Sequence, residues 1–117
     1  MKAYGVAHLY NPQPHHPEVL EYLERIQDTL DPYGGRFLVH GGNLEVREGS
    51  WPGALVVIEF PDPAKARAWY ESGPYQEILP LRANNIEGDI LLAEGVEPGH
   101  DSAKMAARLR RESTVAP

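Results

Sequence analysis

The sequence predicts a single domain of the α+β class, in which helices cover one face of an antiparallel sheet. The chain has 117 residues, the length of one domain, and 42% of them are hydrophobic. Strand-like and helix-like segments follow in the order β-α-β-β-α-α-β, with one segment of ambiguous type between the second and third strands. Because the connections are short, this order is typical of a split βαβ arrangement.

The first third of the chain is predicted to form a strand, a loop and a helix. Large and small side chains alternate over residues 3–10, as in a strand. Three prolines in residues 11–17 are incompatible with both a ladder and a helix, so this segment is a loop. Residues 18–30 form a helix, because their apolar residues recur at helical spacing. This stripe consists of Val19, Leu23, Ile26 and Leu30.

The middle of the chain contains two predicted strands joined by an ambiguous segment. Residues 36–40 form one strand, and the nearly continuous apolar run of residues 54–60 suits a central strand. Gly41 and Gly42 either make a tight turn into a further strand over residues 43–48 or form a bulge in one long bent strand. Both interpretations remain open at this point.

Two consecutive helices and a last strand complete the predicted body. Asp62 and Pro63 are typical of the start of a helix over residues 64–71. The Ser-Gly-Pro sequence that follows ends this helix and starts a second one, which continues to about residue 82. A strand over residues 88–94 comes last. The predicted fold is therefore a ferredoxin-like split βαβ sandwich with its helices on one face.

The strands are apolar on both sides, although the helices would cover only one face of the sheet. Leaving the second face in water would expose a broad apolar surface. We therefore expect a homodimer in which two sheets pack face to face.

Residues 96–117 differ in composition from the domain formed by residues 1–95. They hold four basic and three acidic residues, so the domain alone has a net charge of −7 and the whole chain −6. Ser102 could cap a short helix with Met105 and Leu109 one turn apart, but such an isolated helix is marginal. We expect a flexible, mildly basic tail that can dock on a partner subunit.

Charge and composition exclude several functional classes. A net charge of −6 disfavours nucleic acid and anionic membranes as partners. The longest aliphatic run, residues 54–58, is too short to cross a bilayer, and the N-terminal segment has no continuous apolar run. We therefore expect a cytoplasmic protein. With no cysteine and no recognisable metal-ligand or phosphate-binding motif, no cofactor is predicted.

Glu59 and Arg82 are the first candidates for a catalytic pair. Glu59 ends an otherwise apolar strand, where desolvation would raise the pKa of its carboxyl and suit a general base. Arg82 follows apolar helical residues and could hold a carboxylate ligand with its fork of donors. Structural roles are favoured for both, because Glu59 can pair with an arginine and Arg82 can pair with Glu59 or cap its own helix.

His8 and His40 are the candidates for proton transfer. His8 shares a face of the first strand with Tyr4, and His40 alternates with Arg36 on the second. The two histidines could form an acid–base or metal-binding pair across neighbouring strands. Two ordinary, satisfied histidines are favoured instead, because no third ligand has suitable spacing. A haem protein with either histidine as axial ligand is a less favoured alternative.

Aromatic residues could line a binding pocket. Trp69, Tyr70 and Tyr75 lie on or beside the two consecutive helices, where they could form the wall of a pocket for a flat ligand, although core packing is the default expectation. Trp51 lies in a turn beside proline and glycine and is harder to bury locally. It suits a dimer contact or the rim of a pocket.

Several short motifs occur in a distinctive order. They include Tyr33-Gly34-Gly35-Arg36, His40-Gly41-Gly42, Glu48-Gly49-Ser50-Trp51, Val57-Ile58-Glu59-Phe60-Pro61-Asp62 and Ala68-Trp69-Tyr70-Glu71-Ser72. Over about residues 3–95 the sequence resembles family 1330 of the domains of unknown function. The resemblance implies a ferredoxin-like protomer and a dimeric α+β barrel, and it implies no particular reaction. It also marks His40 as a departure, since relatives commonly carry arginine there.

Two functions remain open. In the first, a homodimer binds or converts a small organic ligand without a metal, in a pocket between sheet and helices, with Glu59, Arg82 and His40 as catalytic residues. The ligand-binding residues would be His8, Trp51, Trp69 and Tyr75. In the second, the protein is a non-catalytic accessory or interaction dimer whose tail binds a partner. Both an enzyme and a non-catalytic protein fit the sequence.

Overall fold

Four antiparallel strands form the centre of the fold in the computed structural model, which describes residues 1–115 of the chain and side chains up to Ser113. The strands are β1 (Ala3–Leu9), β2 (Arg36–His40), β3 (Ala54–Phe60) and β4 (Gly88–Glu94). Their order across the sheet is β2-β3-β1-β4, and each neighbouring pair is antiparallel. This is the split βαβ order, so the predicted ferredoxin-like fold is confirmed.

Helices connect the strands and start at identifiable caps. They are α1 (Pro17–Leu30), α2 (Pro63–Glu71), α3 (Gly73–Ala83) and α4 (Ser102–Val115). As predicted, the Asp62 carboxylate caps α2 by accepting a hydrogen bond of 2.8 Å from the backbone N–H of Lys65. The cap of α1 was not predicted: Nδ1 of His16 accepts a hydrogen bond of 3.1 Å from the backbone N–H of Glu18.

The core lies between one face of the sheet and helices α1, α2 and α3. Its most enclosed side chains are Leu30, Phe60, Tyr75 and Ile78. The indole N–H of Trp69 donates a hydrogen bond of 3.0 Å to the hydroxyl of Thr29, which in turn donates to a backbone carbonyl of α1. In the described part of the chain, every buried side-chain nitrogen and oxygen has a partner.

The opposite face of the sheet carries an apolar patch, as the sequence predicts, next to the charged Glu59. Strand register places the side chains of the patch side by side: Tyr4 and Val6 from β1, Leu55 and Val57 from β3, and Leu91 from β4. We call these five residues the open face. The side chain of Leu91 is 54% exposed. The chain therefore carries an uncovered apolar surface on this side of the sheet.

Two details of the predicted elements were wrong. Residues 43–48 form no strand but an exposed, irregular segment, and the bulge lies within β2 instead of at the two glycines. In α1 three residues of the predicted stripe, Val19, Ile26 and Leu30, are buried as expected. Only Leu23 departs from it: Leu23 is 41% exposed, and Tyr22 is buried in its place.

Residues 102–115 form α4, and all of its side chains up to Ser113 are exposed. The carboxylate of Asp101 accepts a hydrogen bond of 2.9 Å from the backbone N–H of Ala103. Asp101 therefore caps this helix in place of the predicted Ser102. Among the helices of residues 1–115, none has the length and apolar character needed to cross a membrane.

Candidate functional site

A cavity of about 480 Å³ lies between the sheet and helices α1 and α3. On the sheet side it is lined by the small residues Gly5, Ala7 and Ala54, which leave a volume that larger side chains would fill. The rest of the lining is mostly aliphatic and aromatic, as in pockets for small organic molecules. The titratable side chains that line it are Tyr22, His40, Tyr75 and Arg82.

Arg82 reaches the cavity from the last turn of α3 and is only 7% exposed. Its Cζ atom lies 5.7 Å from the centre of the Tyr22 ring, within the range of a cation–π contact. Burial acts to lower the pKa of Arg82, but the neighbouring Tyr75 and Tyr22 outweigh it and raise the pKa. The guanidinium is therefore charged at physiological pH.

Arg82 has no carboxylate counter-ion within residues 1–115. The ion pairs of the described residues involve other cations, and no aspartate or glutamate lines the cavity. A buried charge is costly unless a group of opposite sign or several hydrogen bonds compensate it. Hydrogen bonds to Tyr75 and Tyr22 compensate part of this cost, but no negative charge of the described chain balances the guanidinium.

Tyr22 and Tyr75 add two hydroxyl groups near this charge. Their oxygens lie 2.9 Å apart and share a hydrogen bond. Burial, reinforced by the nearby Tyr75, raises the pKa of Tyr22, so its phenol stays neutral. A bond between two hydroxyls uses one of two O–H donors, and the other remains available to an acceptor in the cavity. We call Tyr22, Tyr75 and Arg82 the polar wall.

His40 reaches the cavity from the sheet because β2 contains a bulge. Phe37 pairs with Ile58 and Val39 pairs with Val57, so one extra residue lies on β2 between them. Without the bulge, Phe37 and His40 would point to opposite faces. Instead both line the cavity, with their rings stacked at 4.0 Å and an angle of 1°. The predicted alternation of His40 with Arg36 is therefore wrong.

The imidazole of His40 lies at the exposed edge of the cavity. Partial burial lowers its pKa from the usual value, so the ring is neutral at physiological pH. Its contact in the described structure is the stack on Phe37, and neither ring nitrogen has a hydrogen-bond partner there. Both nitrogens are therefore available to a ligand.

Glu59 lies on the other face of the sheet, away from the cavity. Its carboxylate forms ion pairs with Lys2 at 3.1 Å and with Arg36 at 3.0 Å. The hydrogen bond from Lys2 contributes most to lowering the pKa of this carboxyl, with further contributions from Arg36. The expected rise in pKa is therefore wrong, and Glu59 does not meet Arg82. The structure matches the alternative in which Glu59 pairs with an arginine.

His8 and Trp51 also lie outside the cavity. Their rings stack at 4.0 Å, and Nε2 of His8 is 2.6 Å from the backbone oxygen of Pro52. The predicted pair of His8 with His40 does not form, because β3 lies between β1 and β2 and the two rings are on opposite faces of the sheet.

The aromatic residues of the two-helix segment divide between cavity and core. Trp69 and Tyr75 line the cavity, with ring centres 4.2 Å apart, and Tyr70 packs against the hydrophobic core.

Sequence reasoning missed Tyr22 as a member of the site. Its position three residues after Val19 and four before Ile26 is the signal that could have placed it on the buried side of α1.

The chain matches one family model. This model, described as a domain of unknown function (DUF1330), covers residues 2–96. The chain belongs to the DUF1330 family. The match includes all four strands and helices α1, α2 and α3, and it leaves α4 outside. The comparison with curated proteins found no match.

Solved structures similar to this DUF1330 domain share its fold. A protein of unknown function from Rhodopseudomonas palustris has a TM-score of 0.60 at 14% identity, covering 83% of this chain and 84% of its own. A dimeric ferredoxin-like protein of unknown function from Jannaschia sp. CCS1 has a TM-score of 0.51 at 16% identity, covering 78% and 98%. SnoaB, a cofactor-independent oxygenase from Streptomyces nogalater, has a TM-score of 0.50 at 10% identity, covering 86% and 96%.

The cavity of the DUF1330 domain has a clear chemical bias. It combines an apolar lining with a cation, a neutral O–H donor and a neutral imidazole. Within residues 1–115, no group of three or more histidine, aspartate and glutamate side chains is arranged to hold a metal ion. Groups of this kind can bind an anion and transfer a proton.

Proposed function

We propose that this DUF1330 protein is a homodimer that binds a small organic carboxylate with an apolar body in the cavity of each protomer. The observation that carries the proposal is the buried Arg82, which faces an apolar cavity without an acidic partner in the described chain. A carboxylate would supply the missing negative charge and accept two parallel hydrogen bonds from the guanidinium.

The dimensions and lining of the cavity support a ligand of modest size. About 480 Å³ lies within the range of small-molecule pockets. Phe37, Trp69 and Ile58 offer aromatic and branched surfaces for an apolar ring or chain. In this proposal the charge that binds the ligand belongs to Arg82, and no metal ion is needed for binding.

The open face supports the homodimer. It joins side chains from β1, β3 and β4 into one apolar surface, and a second sheet packed against it would remove that surface from water. The similar protein from Jannaschia sp. CCS1 is described as dimeric. The cavity lies on the helix-covered side, so dimerisation through the open face leaves it accessible.

A matched pair of ligands tests the binding proposal. Phenylacetate and phenylacetamide share a ring and a shape, but only the first carries a negative charge at neutral pH. We expect phenylacetate to raise the melting temperature progressively as its concentration rises above the Kd, and phenylacetamide to do so much less. Arg82→Met should weaken phenylacetate binding by about tenfold or more, since hydrogen bonds to charged groups are strong.

Two further variants complete this experiment. Arg82→Lys keeps the charge but removes the planar fork, so it should retain part of the affinity. Arg47→Met removes an exposed cation that pairs with Glu45, and it should leave binding unchanged. Equal binding of the acid and the amide, or equal losses for Arg82→Met and Arg47→Met, would show that Arg82 does not determine the ligand.

Exposed apolar residues on α4 support the alternative function of an accessory or interaction module. Met105 is 43% exposed and Leu109 is 49% exposed, one helical turn apart on a basic segment. On this proposal α4 docks on a partner or on the other subunit. A chain ending at residue 95 should then lose a partner or the dimer, and an unchanged dimer with an unchanged set of bound proteins would contradict it.

A further inference from the structure

We propose that the cavity catalyses keto–enol proton transfer in a 2-oxo acid with an apolar side chain, with His40 as the base and the polar wall as the group that stabilises the enolate. This inference rests on the proposed function, since the same cavity must first bind the acid. To that proposal it adds a reaction, and it narrows the ligand from organic carboxylates to 2-oxo acids.

The polar wall has donors for two neighbouring acceptors. The guanidinium of Arg82 presents a charged fork, and the tyrosine pair has one O–H beyond the one used in the bond between Tyr22 and Tyr75. A simple carboxylate needs only the fork. A 2-oxo acid carries a ketone oxygen next to its carboxylate, and that oxygen can accept the remaining O–H. The donor set therefore fits a 2-oxo acid better than a simple acid.

His40 lies across the cavity from this wall. The polar wall comes from helices α1 and α3, whereas His40 comes from β2 in the sheet. A ligand between the two layers, with its acid group on Arg82, extends its side chain toward the sheet. In the proposed pose the carbon next to the ketone faces the imidazole. The stack of His40 on Phe37 at 4.0 Å holds the ring in a defined orientation.

The proposed step balances without any additional reactant. A nitrogen of His40 takes the proton from the carbon next to the ketone, and the C–H electron pair becomes the new C=C bond. The C=O π electrons move to the ketone oxygen, where Arg82 and the available tyrosine O–H stabilise the negative charge. Return of a proton from the imidazolium to carbon regenerates the ketone, and its transfer to oxygen gives the enol.

The surroundings of His40 are suited to this role. The other titratable groups lining the cavity are Tyr22 from α1 and Tyr75 and Arg82 from α3. No carboxylate lines the cavity within the described chain, so none holds His40 in its protonated form. The lowered pKa of His40 keeps the imidazole able to accept a proton at neutral pH.

Hydrogen–deuterium exchange tests the inference on the full-length protein. Phenylpyruvate has exchangeable protons next to its ketone, and NMR in D₂O follows their loss. Benzoylformate has the same acid group and no such protons, so it measures binding alone. We expect the wild type to accelerate exchange in phenylpyruvate, and His40→Gln to reduce the acceleration by about a hundredfold or more. His40→Gln should bind benzoylformate nearly as well as the wild type at about pH 7.5.

The variants separate the two proposals. His15→Gln removes a histidine from an exposed loop and should leave exchange unchanged. Binding of both acids without accelerated exchange, or exchange that His40→Gln does not reduce, would overturn the proton-transfer proposal and leave the binding proposal intact. Absence of binding of both acids would overturn the proposed function, and the proton transfer with it.

Discussion

The hydroxyl oxygens of Tyr22 and Tyr75 lie 2.9 Å apart and join α1 to α3 at the wall of the cavity. The two residues are far apart in sequence and belong to helices that pack against each other. Their bond fixes the part of the wall to which Arg82 belongs, so it serves both stability and the arrangement of donors that a ligand would meet.

Loss of either hydroxyl should destabilise the protein modestly. Tyr22→Phe and Tyr75→Phe each break the hydrogen bond between the two hydroxyls, which costs about 1 kcal/mol. The double variant should lose less than the sum of the two single variants, because their effects share one bond. Urea denaturation measures the three free energies of unfolding. Tyr33→Phe, which removes a hydroxyl outside this pair, is the control. If the losses of the two single variants add up to the loss of the double variant, the bond between Tyr22 and Tyr75 contributes nothing to stability.

The Thr29–Trp69 hydrogen bond gives a second prediction on stability. Thr29→Val keeps the shape of the side chain but removes the acceptor of the indole N–H of Trp69, at 3.0 Å. An unsatisfied buried donor costs about 1–3 kcal/mol. Thr29→Ser retains the hydroxyl and should lose much less. Urea denaturation measures the free energy of unfolding of both variants, and equal losses of that free energy would refute the role of this hydrogen bond.

The open face predicts the oligomeric state. Leu91→Lys introduces a charge on the apolar surface, and burying that charge in a dimer would be costly. We expect the wild type to be a dimer and Leu91→Lys to be largely a monomer, as measured by size-exclusion chromatography with light scattering. Leu20→Lys changes a residue of similar exposure on α1 and should remain dimeric. A monomeric wild type, or a dimeric Leu91→Lys, would contradict the face-to-face arrangement.

The sequence predicted the elements of the fold well but only part of the site. Prolines, caps and apolar periodicity are local signals, and they were enough for the four strands, α1, α2 and α3. The position of His40 depends on a bulge in β2 that no local pattern marks, because the extra residue, Leu38, is an ordinary strand residue. The position of Glu59 was unpredictable for a similar reason. The sheet face on which it lies follows from the register of β3 with β2, where Glu59 pairs with Arg36, and a single sequence does not specify that register.

Arg82 illustrates a different limit. Its residue type and position suggested a carboxylate ligand or an ion pair with Glu59, and these alternatives could be separated only by knowing which face of the sheet each residue meets. The polar wall also requires Tyr22 from α1, and the pairing of Tyr22 with Tyr75 depends on how two helices pack. Local sequence signals carry little information about such packing, which is why the cavity itself was expected only in outline.

Binding and proton transfer should respond to pH in opposite directions. The pKa of His40 is lowered, so the ring is neutral at neutral pH and gains a proton only in acidic solution. Tyr22 and Arg82, whose pKa values are raised, keep their protonation states between neutral and acidic pH. Benzoylformate should therefore bind more tightly at the lower pH, because a second positive charge lines the cavity, while exchange in phenylpyruvate should slow. In His40→Gln the affinity should be nearly independent of pH, and a pH response like that of the wild type would exclude His40 as its source.

The most direct test of the central claim is the NMR signal of the Arg82 side-chain N–H during a titration with phenylacetate. If the carboxylate binds the guanidinium, this signal should shift progressively and reach saturation, with the same Kd that the thermal stabilisation gives. Phenylacetamide should move it little, and the side-chain signal of the exposed Arg47 should stay in place with either compound. A phenylacetate titration that reaches saturation while the Arg82 signal remains unmoved would contradict the account.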